Sequence, residues 1–371
     1  MNSEKVLMKG NEAIAEAALR AGCRAYFGYP ITPQNEIIAY MARNMMARGG
    51  VFIQAESETA AVNMVYGASC AGVRAMTSSS SPGVSLKQEG ISYAAGADVP
   101  LVLVNVMRGG PGLGSIAPAQ SDYFQSTRGG GHGDYRCIVL APWSVQESAD
   151  LTFLAFDLAD KYRMPVIVLA DGMIGQMMEG VVLPPAFPAG SLPARDWTVG
   201  RMAGTAKDGA ARASRHITSI HLVPEELEEK TRSRFERYET IKAAETRFEY
   251  TAPAASGGPG ADADADLTLV AYGTSARVCL GAKMLAEKEG IRTGLFRPVT
   301  LWPFPHEALE KAAGTGPVLT VEMSLGQLVE DVKLSVLGKA PVHLLGHSGG
   351  VIPSEEEVFA EIKRILGRKR A

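Results

Sequence analysis

Closely spaced cysteines, the usual mark of a metal-binding sequence, are missing from this chain. Its 371 residues include four cysteines, Cys23, Cys70, Cys137 and Cys279, and no two of them form a CxxC pair. Iron–sulfur clusters and zinc sites need several thiolates or imidazoles at short spacing. We therefore expect four buried thiols and no metal site held by this chain alone. If the protein handles electrons, a partner has to carry the metal.

An excess of one charge and a long apolar run are also missing. Lys plus Arg number 37 and Asp plus Glu number 40, for a net charge of -3. Without a basic stripe, this balance offers no surface for nucleic acid. No apolar run approaches membrane-spanning length, and residues 1–9 lack the apolar centre of a signal peptide. We therefore expect a cytoplasmic protein with neither a membrane nor a nucleic-acid partner.

The glycine motif of dinucleotide-binding proteins is absent as well. No G-x-G-x-x-G sequence follows a predicted strand and opens a helix. Residues 109–112 (GGPG) have a proline where a phosphate-binding amide N–H would be needed. Both observations argue against a nucleotide-binding Rossmann protein.

Strand and helix patterns alternate regularly through the first half of the chain. Residues 99–107 read as a buried strand because their apolar side chains run without alternation. This alternation predicts an α/β fold with a doubly wound parallel sheet. The predicted strands are 25–29, 51–55, 74–77, 99–107, 137–141 and 165–170, and the predicted helices are 10–21, 34–48, 58–71, 84–95 and 144–163.

Composition divides the chain into three parts. Residues 1–180 form the first α/β domain. Residues 181–265 form a linker with a charged helix over 224–250 and a flexible glycine-rich stretch over 252–266. Residues 266–371 repeat the strand–helix pattern and form a smaller α/β domain.

Polar side chains follow three predicted strands of the first domain. Thr32 follows the first of them, Glu58 opens the helix after the second, and Arg108 ends the strand 99–107. Ligands of open α/β sheets bind beyond the carboxyl ends of the strands. A hydroxyl, a carboxylate and a guanidinium at one edge therefore predict a site for a small acid. The glycines of residues 109–112 are expected to leave the Arg108 guanidinium accessible.

The turn at residues 29–33 (YPITP) has a local interpretation of its own. Pro33 lacks an N–H and suits the first position of a helix. Thr32 is then the predicted N-cap, with a hydroxyl hydrogen left to donate. A helix start with a spare donor is a favourable place for a carboxylate or phosphate.

Four motifs occur in the order seen in α subunits of 2-oxoacid:ferredoxin oxidoreductases. The chain most closely resembles those of the 2-oxoisovalerate (3-methyl-2-oxobutanoate) type, strongly over about residues 5–180 and moderately over 266–350. YPITP is specific, and the glycine-rich pieces support it. The motifs are YPITP at 29–33, ESE at 56–58 followed by AA at 60–61, SSPG at 80–83 and RGGPG at 108–112.

The resemblance implies a thiamine diphosphate enzyme assembled from several chains. This chain would supply a pyrimidine-binding domain and a smaller domain of the transketolase carboxyl-terminal type. A β subunit would supply the diphosphate and Mg²⁺ site and an iron–sulfur cluster, alongside a γ subunit and a ferredoxin-like δ subunit. Coenzyme A would be the co-substrate and ferredoxin the electron acceptor. The chain has no Gly-Asp-Gly, and its six asparagines all lie at or before Asn105, so it lacks the usual diphosphate-binding motif.

The resemblance also implies roles for the three polar residues. Glu58 would hydrogen-bond the aminopyrimidine ring of thiamine diphosphate and promote its imino tautomer, with Glu56 as the rival. Thr32 and Arg108 would hold the carboxylate of the substrate. No metal ligand is assigned to this chain, and His132 and Asp134 stay outside the catalytic set.

The substrate is left open among three 2-oxoacids. A branched-chain 2-oxoacid is the leading hypothesis, with 2-oxoglutarate or pyruvate as rivals. Arg128 and Arg136 are candidates for a distal carboxylate. Gln34 and Asn35 stand where the family more often has Ser-Ser or Ser-Thr, next to the predicted carboxylate site. A scaffold subunit without a catalytic role is the alternative from another class.

Overall fold

A computed structural model describes residues 5–188, 192, 195–199, 215–253 and 265–368. The strands in these ranges are β1 (Val6–Lys9), β2 (Ala25–Gly28), β3 (Val51–Gln54), β4 (Ala75–Ser79), β5 (Leu101–Met107), β6 (Ile138–Leu140), β7 (Pro165–Asp171), β8 (Met178–Val181), β9 (Phe248–Thr251), β10 (Leu267–Val270), β11 (Thr293–Pro298), β12 (Thr300–Trp302), β13 (Val318–Glu322) and β14 (Val342–Gly346). The helices are α1 (Gly10–Arg20), α2 (Asn35–Asn44), α3 (Glu58–Cys70), α4 (Ser81–Gly96), α5 (Tyr123–Thr127), α6 (Val145–Tyr162), α7 (Gly172–Gln176), α8 (Pro224–Glu245), α9 (Gly273–Lys288), α10 (His306–Ala313), α11 (Leu328–Val336) and α12 (Glu355–Ile365), and a 3₁₀ turn covers Met46–Arg48.

The first sheet has seven strands in the order β12-β6-β7-β5-β4-β2-β3. All its pairs are parallel except that of β12 with β6. Every residue of β5 is buried, as its continuous apolar sequence predicts. One core lies between the sheet and α3 and α4, and a second lies under α1, α2 and α6. The predicted doubly wound parallel sheet is confirmed.

This sheet brings three chain segments to one edge. Strand β4 lies between β2 and β5 in the order, so the turns that follow these three strands are neighbours. Those turns contain Thr32, the serine run 78–81 and Arg108. Glu58 begins α3 after the edge strand β3. The fold therefore places all three predicted polar residues at the carboxyl edge.

The second sheet has the order β14-β13-β10-β11-β9. Its four strands from β10 onward are parallel, and β9 joins its edge antiparallel. The two sheets are linked by Asp171, at the end of β7, which accepts hydrogen bonds from Thr274 N–H at 2.9 Å and from the Thr274 hydroxyl at 2.6 Å. Burial raises the pKa of Asp171, and the bonds from Thr274 oppose that shift.

Three elements differ from the sequence-based prediction. Helix α4 begins at Ser81 rather than residue 84, since Pro82 is tolerated in a first helical turn. Helix α8 ends at Glu245, and residues 248–251 pair with β11 as a strand instead of continuing the predicted helix. The long loop 108–136 contains the short helix α5.

The predicted division at residues 180 and 265 stays a prediction. Strand β12, from the carboxyl-terminal part, completes the first sheet. Strands β1 and β8 form a small antiparallel sheet that joins the start of the chain to residues 178–181. Residues 254–264, most of the predicted flexible stretch, lie outside the described residues, as do the basic residues 369–370.

Candidate functional site

Arg108 joins the ends of β5 and β2. Its Nη1 donates to the Thr32 carbonyl at 3.0 Å, and its Nη2 donates to the Leu113 carbonyl at 2.9 Å. Its backbone N–H donates to Ser81 Oγ at 3.0 Å, at the start of α4. The side chain is 8% exposed, so the predicted accessible guanidinium is wrong. The guanidinium donates to the Leu113 carbonyl, and this hydrogen bond holds the glycine-rich loop over it. Its second hydrogen bond, to the Thr32 carbonyl, ties it to the end of β2.

The charge of Arg108 has no counter-ion within the described ranges. None of the carboxylates there lies within 4.0 Å of its guanidinium nitrogens. Its Nε is buried and has no hydrogen-bond partner among those residues. A guanidinium has five N–H donors, and two of them are used by carbonyls. Buried charges are normally paired, so the site has the donors and the charge to take up an anion.

Thr32 does not cap the following helix, which corrects the prediction from the sequence. Helix α2 begins at Asn35, and Gln34 is its N-cap. The Thr32–Pro33 peptide bond is cis, and Gln34 N–H donates to Ile31 O at 3.1 Å to close the turn. The Thr32 hydroxyl oxygen instead accepts from Asn35 Nδ2 at 3.3 Å. Because the oxygen accepts in this contact, the hydroxyl hydrogen is left to donate to another group.

Gln34 is buried and links the turn to the neighbouring strand β4 through its side-chain amide. It is 0% exposed, and its Oε1 accepts from Ser78 Oγ at 2.6 Å. Its Nε2 donates to the Tyr29 carbonyl at 3.3 Å. Both ends of the amide are thus occupied, one by β4 and the other by the turn itself. Asn35 is the member of the unusual Gln-Asn pair that contacts Thr32.

Glu58 is the buried member of the two candidate carboxylates. Its residue is 7% exposed, while Glu56 is exposed. Ser57 caps α3 by accepting from Ala60 N–H at 3.1 Å, which fixes Glu58 at the first helical position. A Cβ added at Gly83 would lie 2.7 Å from Glu58 Oε1. The carboxyl group therefore packs against the first turn of α4, where only a glycine fits.

Two serines in the turn before α4 are left without partners. Ser79 and Ser80 are both 0% exposed, and the Oγ of each finds no hydrogen-bond partner in the described part of the chain. Ser81, in contrast, donates to Asp122 Oδ2 at 2.6 Å. Buried hydroxyls are almost always hydrogen-bonded. The Ser79 hydroxyl and the Glu58 carboxyl group both lie beside Gly83, so this turn offers unused hydrogen-bonding groups to a ligand.

Two further ionisable residues near the site, the buried Lys87 and the half-buried Asp122, were not predicted from the sequence. Lys87 on α4 donates to the Glu58 carbonyl at 3.3 Å. Asp122 accepts from Asn105 Nδ2 at 2.9 Å as well as from Ser81. Burial raises the pKa of Asp122, and these two hydrogen bonds oppose the shift. A single lysine in a helix without a clear polar face was the only signal.

Four other residues considered in the sequence analysis lie away from the contacts of Thr32, Glu58 and Arg108. They are Arg128, Arg136, His132 and Asp134. Arg128 pairs with Asp331 of α11 at 3.1 Å, and both Arg128 and Arg136 line a cleft of about 840 Å³ between the first sheet, α8 and α10. His132 and Asp134 line a second cleft of about 610 Å³ at the far end of α4. The structure brings none of the four to Thr32, Glu58 or Arg108.

The four cysteines are buried, as predicted. Burial raises the pKa of the Cys23 and Cys137 thiols to about 12. Across the described ranges, no group of three or more His, Cys, Asp or Glu side chains is placed to hold a metal ion. In the same ranges, no helix is both long enough and apolar enough to cross a membrane.

Two family models match this chain. Residues 16–189 match the pyruvate flavodoxin/ferredoxin oxidoreductase, thiamine diP-bdg family. Residues 265–358 match the pyruvate:ferredoxin oxidoreductase core domain II. The first stretch contains Thr32, Glu58 and Arg108, so the site described above lies within the thiamine-diphosphate-binding part.

Relatives of known name match nearly the whole chain. The ketoisovalerate oxidoreductase subunit VorB of Methanothermobacter marburgensis is 48% identical over 366 residues, covering 97% of this chain and 98% of that protein. The 2-oxoglutarate synthase subunit KorA of Archaeoglobus fulgidus is 39% identical, covering 89% of this chain and 91% of its own length. Both are named as subunits of larger enzymes.

Solved structures give the same picture of the fold. The 2-oxoglutarate:ferredoxin oxidoreductase of Magnetococcus marinus, solved with 2-oxoglutarate, coenzyme A and succinyl-CoA bound, matches with a TM-score of 0.82 at 27% identity. The match covers 98% of this chain and 66% of that chain. A split-gene transketolase matches with a TM-score of 0.55 at 15% identity, over 98% of this chain and 99% of that one, which speaks for the fold alone.

Proposed function

This chain belongs to the 2-oxoacid:ferredoxin oxidoreductase family, and we propose that it is the subunit that binds the 2-oxoacid. In this proposal, the complex decarboxylates a branched-chain 2-oxoacid oxidatively, forms an acyl-CoA and CO₂, and passes electrons to ferredoxin. Thr32, Glu58 and Arg108 are the catalytic residues, and Glu58 also contacts the cofactor.

The unpaired charge of Arg108 is the observation that carries the proposal. Among the described residues, the buried guanidinium has three unused N–H donors and no carboxylate near it. Such a charge is costly unless an anion occupies the site. A 2-oxoacid brings a carboxylate that accepts two parallel hydrogen bonds from such a fork. The Thr32 hydroxyl, whose oxygen accepts from Asn35, keeps its hydrogen and adds a third donor. Arg108 Nη1 already contacts the Thr32 carbonyl, so both groups serve one carboxylate.

The residues beside Glu58 fit the pyrimidine half of thiamine diphosphate. They offer a buried carboxyl group, two unpartnered hydroxyls at Ser79 and Ser80, and the bare backbone of Gly83. An aminopyrimidine has ring nitrogens and an amino group that match such donors and acceptors. The cofactor, when bound, supplies the electron sink that decarboxylation requires.

The chain's own residues then have distinct tasks. Glu58 holds a proton at its carboxyl group and shares it with the pyrimidine ring. Arg108 and Thr32 orient the substrate carboxylate without over-stabilising it, because that group leaves as CO₂. The glycine-rich loop, bonded to Arg108 through the Leu113 carbonyl, screens the site from water.

The surroundings of the site favour an apolar 2-oxoacid over 2-oxoglutarate. Arg128 and Arg136, the arginines proposed for a distal carboxylate, line the cleft beside α10, and Arg128 is paired with Asp331. The side chains of Tyr29, Leu113 and Ile116 are exposed and apolar. A branched alkyl group suits such neighbours, whereas a second carboxylate would need a cation that is not among them.

The second half of the cofactor site would come from a β subunit. Four apolar side chains, Tyr29, Leu86, Leu113 and Ile116, are exposed next to the site, and we call them the apolar rim. The Leu86 carbonyl accepts from Thr59, next to Glu58, at 3.2 Å, and the Leu113 carbonyl accepts from Arg108. Exposed apolar patches mark protein interfaces. We propose that a β subunit, with the diphosphate and Mg²⁺ site and an iron–sulfur cluster, docks on this rim, and that γ and δ subunits complete the complex.

An activity assay tests the proposed function. The chain is co-expressed with its partner subunits, loaded with thiamine diphosphate and Mg²⁺, and assayed for coenzyme A-dependent viologen reduction. The substrates are 2-oxoisovalerate, 2-oxoglutarate and pyruvate. We expect the highest kcat/KM with 2-oxoisovalerate. If a complex that binds thiamine diphosphate reduces viologen with none of the three acids, the catalytic role is excluded and a scaffold role takes its place.

The apolar rim can be tested separately by introducing charge. The double variant Leu113→Asp, Ile116→Asp changes side chains that are 83% and 67% exposed, so the fold of the chain should be unaffected. We expect the Kd for the β subunit to rise about 100-fold, since two carboxylates would be buried unpaired in the interface. Calorimetry of purified subunits measures the change.

The matched control for the rim is Leu222→Asp. Leu222 is 87% exposed and precedes α8, next to the cleft at the far end of α4. This variant should bind the β subunit as tightly as the wild-type chain. Equal weakening by both variants would show that the rim is not the interface.

A further inference from the structure

Lys87 is a fully buried lysine. It lies in the second turn of α4, is 0% exposed, and is among the largest fully buried side chains of the chain. Its Nζ donates to Thr77 Oγ1 of β4 at 3.0 Å and to the Glu58 carbonyl of α3 at 3.3 Å. No carboxylate oxygen in the described ranges lies within 4.0 Å of it. Neither partner is charged.

The burial of this amine has a cost that packing does not explain. An ammonium group in an apolar site without a paired carboxylate is strongly disfavoured, and a methionine would fill the same space without that cost. Burial lowers the pKa of Lys87 to about 7, against a weaker opposing effect of the negative charge of Glu58. Glu58 is the one charged group whose field acts on Lys87 in the described residues. A buried lysine bonded to the backbone of the proposed catalytic residue therefore needs a function.

Helix α4 holds Glu58 at two points that are one turn apart. Gly83 makes room for the carboxyl group, with 2.7 Å between Oε1 and the place of a Cβ. Lys87, four residues later, reaches the Glu58 backbone carbonyl. Residues four apart lie on the same face of a helix. The same face of α4 thus sets both the backbone and the side chain of Glu58.

We propose that Lys87 is a positioning residue for Glu58. It fixes the start of α3 against α4 through its contacts with the Glu58 carbonyl and Thr77, and its charge state sets the electrostatic field at the Glu58 carboxyl group. This inference rests on the proposed function of Glu58. A protonated amine favours the ionised carboxylate, and a neutral amine removes that effect. Because the proposed chemistry needs a proton on Glu58, the active form of the site has Lys87 neutral.

The kinetic test uses Lys87→Met in the co-expressed complex. The matched control is Lys230→Met, which changes an exposed lysine of α8. We expect kcat of the wild-type complex to rise as the pH increases through about 7, where Lys87 loses its proton. Lys87→Met should lower kcat about tenfold or more with KM for the 2-oxoacid unchanged, and should lose the step near pH 7. Lys230→Met should keep both.

A second test needs neither cofactor nor turnover. In the unfolded chain Lys87 titrates near its ordinary pKa of 10.5, and in the folded chain near 7. Between these values the unfolded state binds one more proton, so the stability due to Lys87 rises with pH and is lost as the pH falls towards 7. The Tm of the wild-type chain minus that of Lys87→Met should therefore increase from pH 7 to pH 9.5. The corresponding difference for Lys230→Met should stay flat.

The outcomes separate the two proposals. A wild-type complex inactive with every acid contradicts the proposed function, while the pH dependence of Tm still decides whether Lys87 is buried and uncharged. An active complex in which Lys87→Met keeps the wild-type kcat and pH profile overturns the positioning role. If Lys87→Met does not fold, Lys87→Gln, which retains a neutral donor, replaces it. That variant should keep the first turn of α3 intact yet still lose the step near pH 7.

Discussion

Replacing Glu58 with glutamine is expected to lower kcat by about 10² to 10⁴, the usual contribution of a positioned acid or base. Glutamine has the shape of glutamate but neither gains nor loses a proton in this pH range. It also fits the space beside Gly83 that the carboxyl group occupies. Assembly, thermal stability and thiamine diphosphate binding should stay close to those of the wild-type complex. Single-turnover and steady-state viologen reduction measure the loss.

Glu56→Gln is the matched control for this variant. Glu56 is two residues away and exposed, whereas Glu58 is buried against α4. The control should retain most of the wild-type kcat. If Glu58→Gln turns over at nearly the wild-type rate and Glu56→Gln does not, the roles of the two carboxylates are reversed.

The convergence of Thr32, Glu58 and Arg108 could be predicted because it follows from topology alone. All parallel strands of a sheet end at the same edge, and the apolar sequences of β2 and β5 are unambiguous. Once the strands are known, residues just beyond them must be neighbours. The contact of Arg108 with the Thr32 carbonyl confirms that neighbourhood, while the catalytic roles stay predictions.

The local geometry of the same residues was harder to predict. Pro33 reads as a first helical residue, yet the chain makes a turn closed by Gln34 before α2 begins. The reason lies outside the turn, because Gln34 is held by Ser78 from the next strand of the sheet. Glycines after Arg108 suggested exposure, yet they let the loop fold back over the guanidinium.

The burial of Lys87 could not be predicted from the sequence. A lysine in a helix is normally on the solvated face, and residues 81–96 have no strong amphipathic pattern to decide otherwise. Its burial depends on α3 packing against α4, where Gly90 allows a close approach to Val62. Strand β12 is a similar case, since its pairing with β6 joins residues about 160 apart in the sequence. Long-range contacts of this kind leave no local signal.

Replacing Arg108 with glutamine is expected to reduce kcat/KM for the 2-oxoacid by roughly 30- to 5,000-fold. This corresponds to about 2–5 kcal/mol, the cost of removing one partner of a buried, hydrogen-bonded charge pair. Thr32→Val, which removes a neutral donor and keeps the shape, should cost about tenfold. Arg108→Lys should recover only part of the loss, because an ammonium group lacks the planar fork. Steady-state kinetics with 2-oxoisovalerate measure all three.

Arg128→Gln and Arg136→Gln are the controls that also decide the substrate. Both arginines line the cleft beside α10, so neither variant should change kcat/KM for 2-oxoisovalerate. A selective loss with 2-oxoglutarate in Arg136→Gln would contradict the branched-chain assignment and place a distal carboxylate at that cleft. Because Arg108 also donates to the carbonyls of Thr32 and Leu113, Tm is measured for each variant. A fall in kcat/KM with unchanged Tm assigns the loss to substrate binding, since a collapsed loop would lower both.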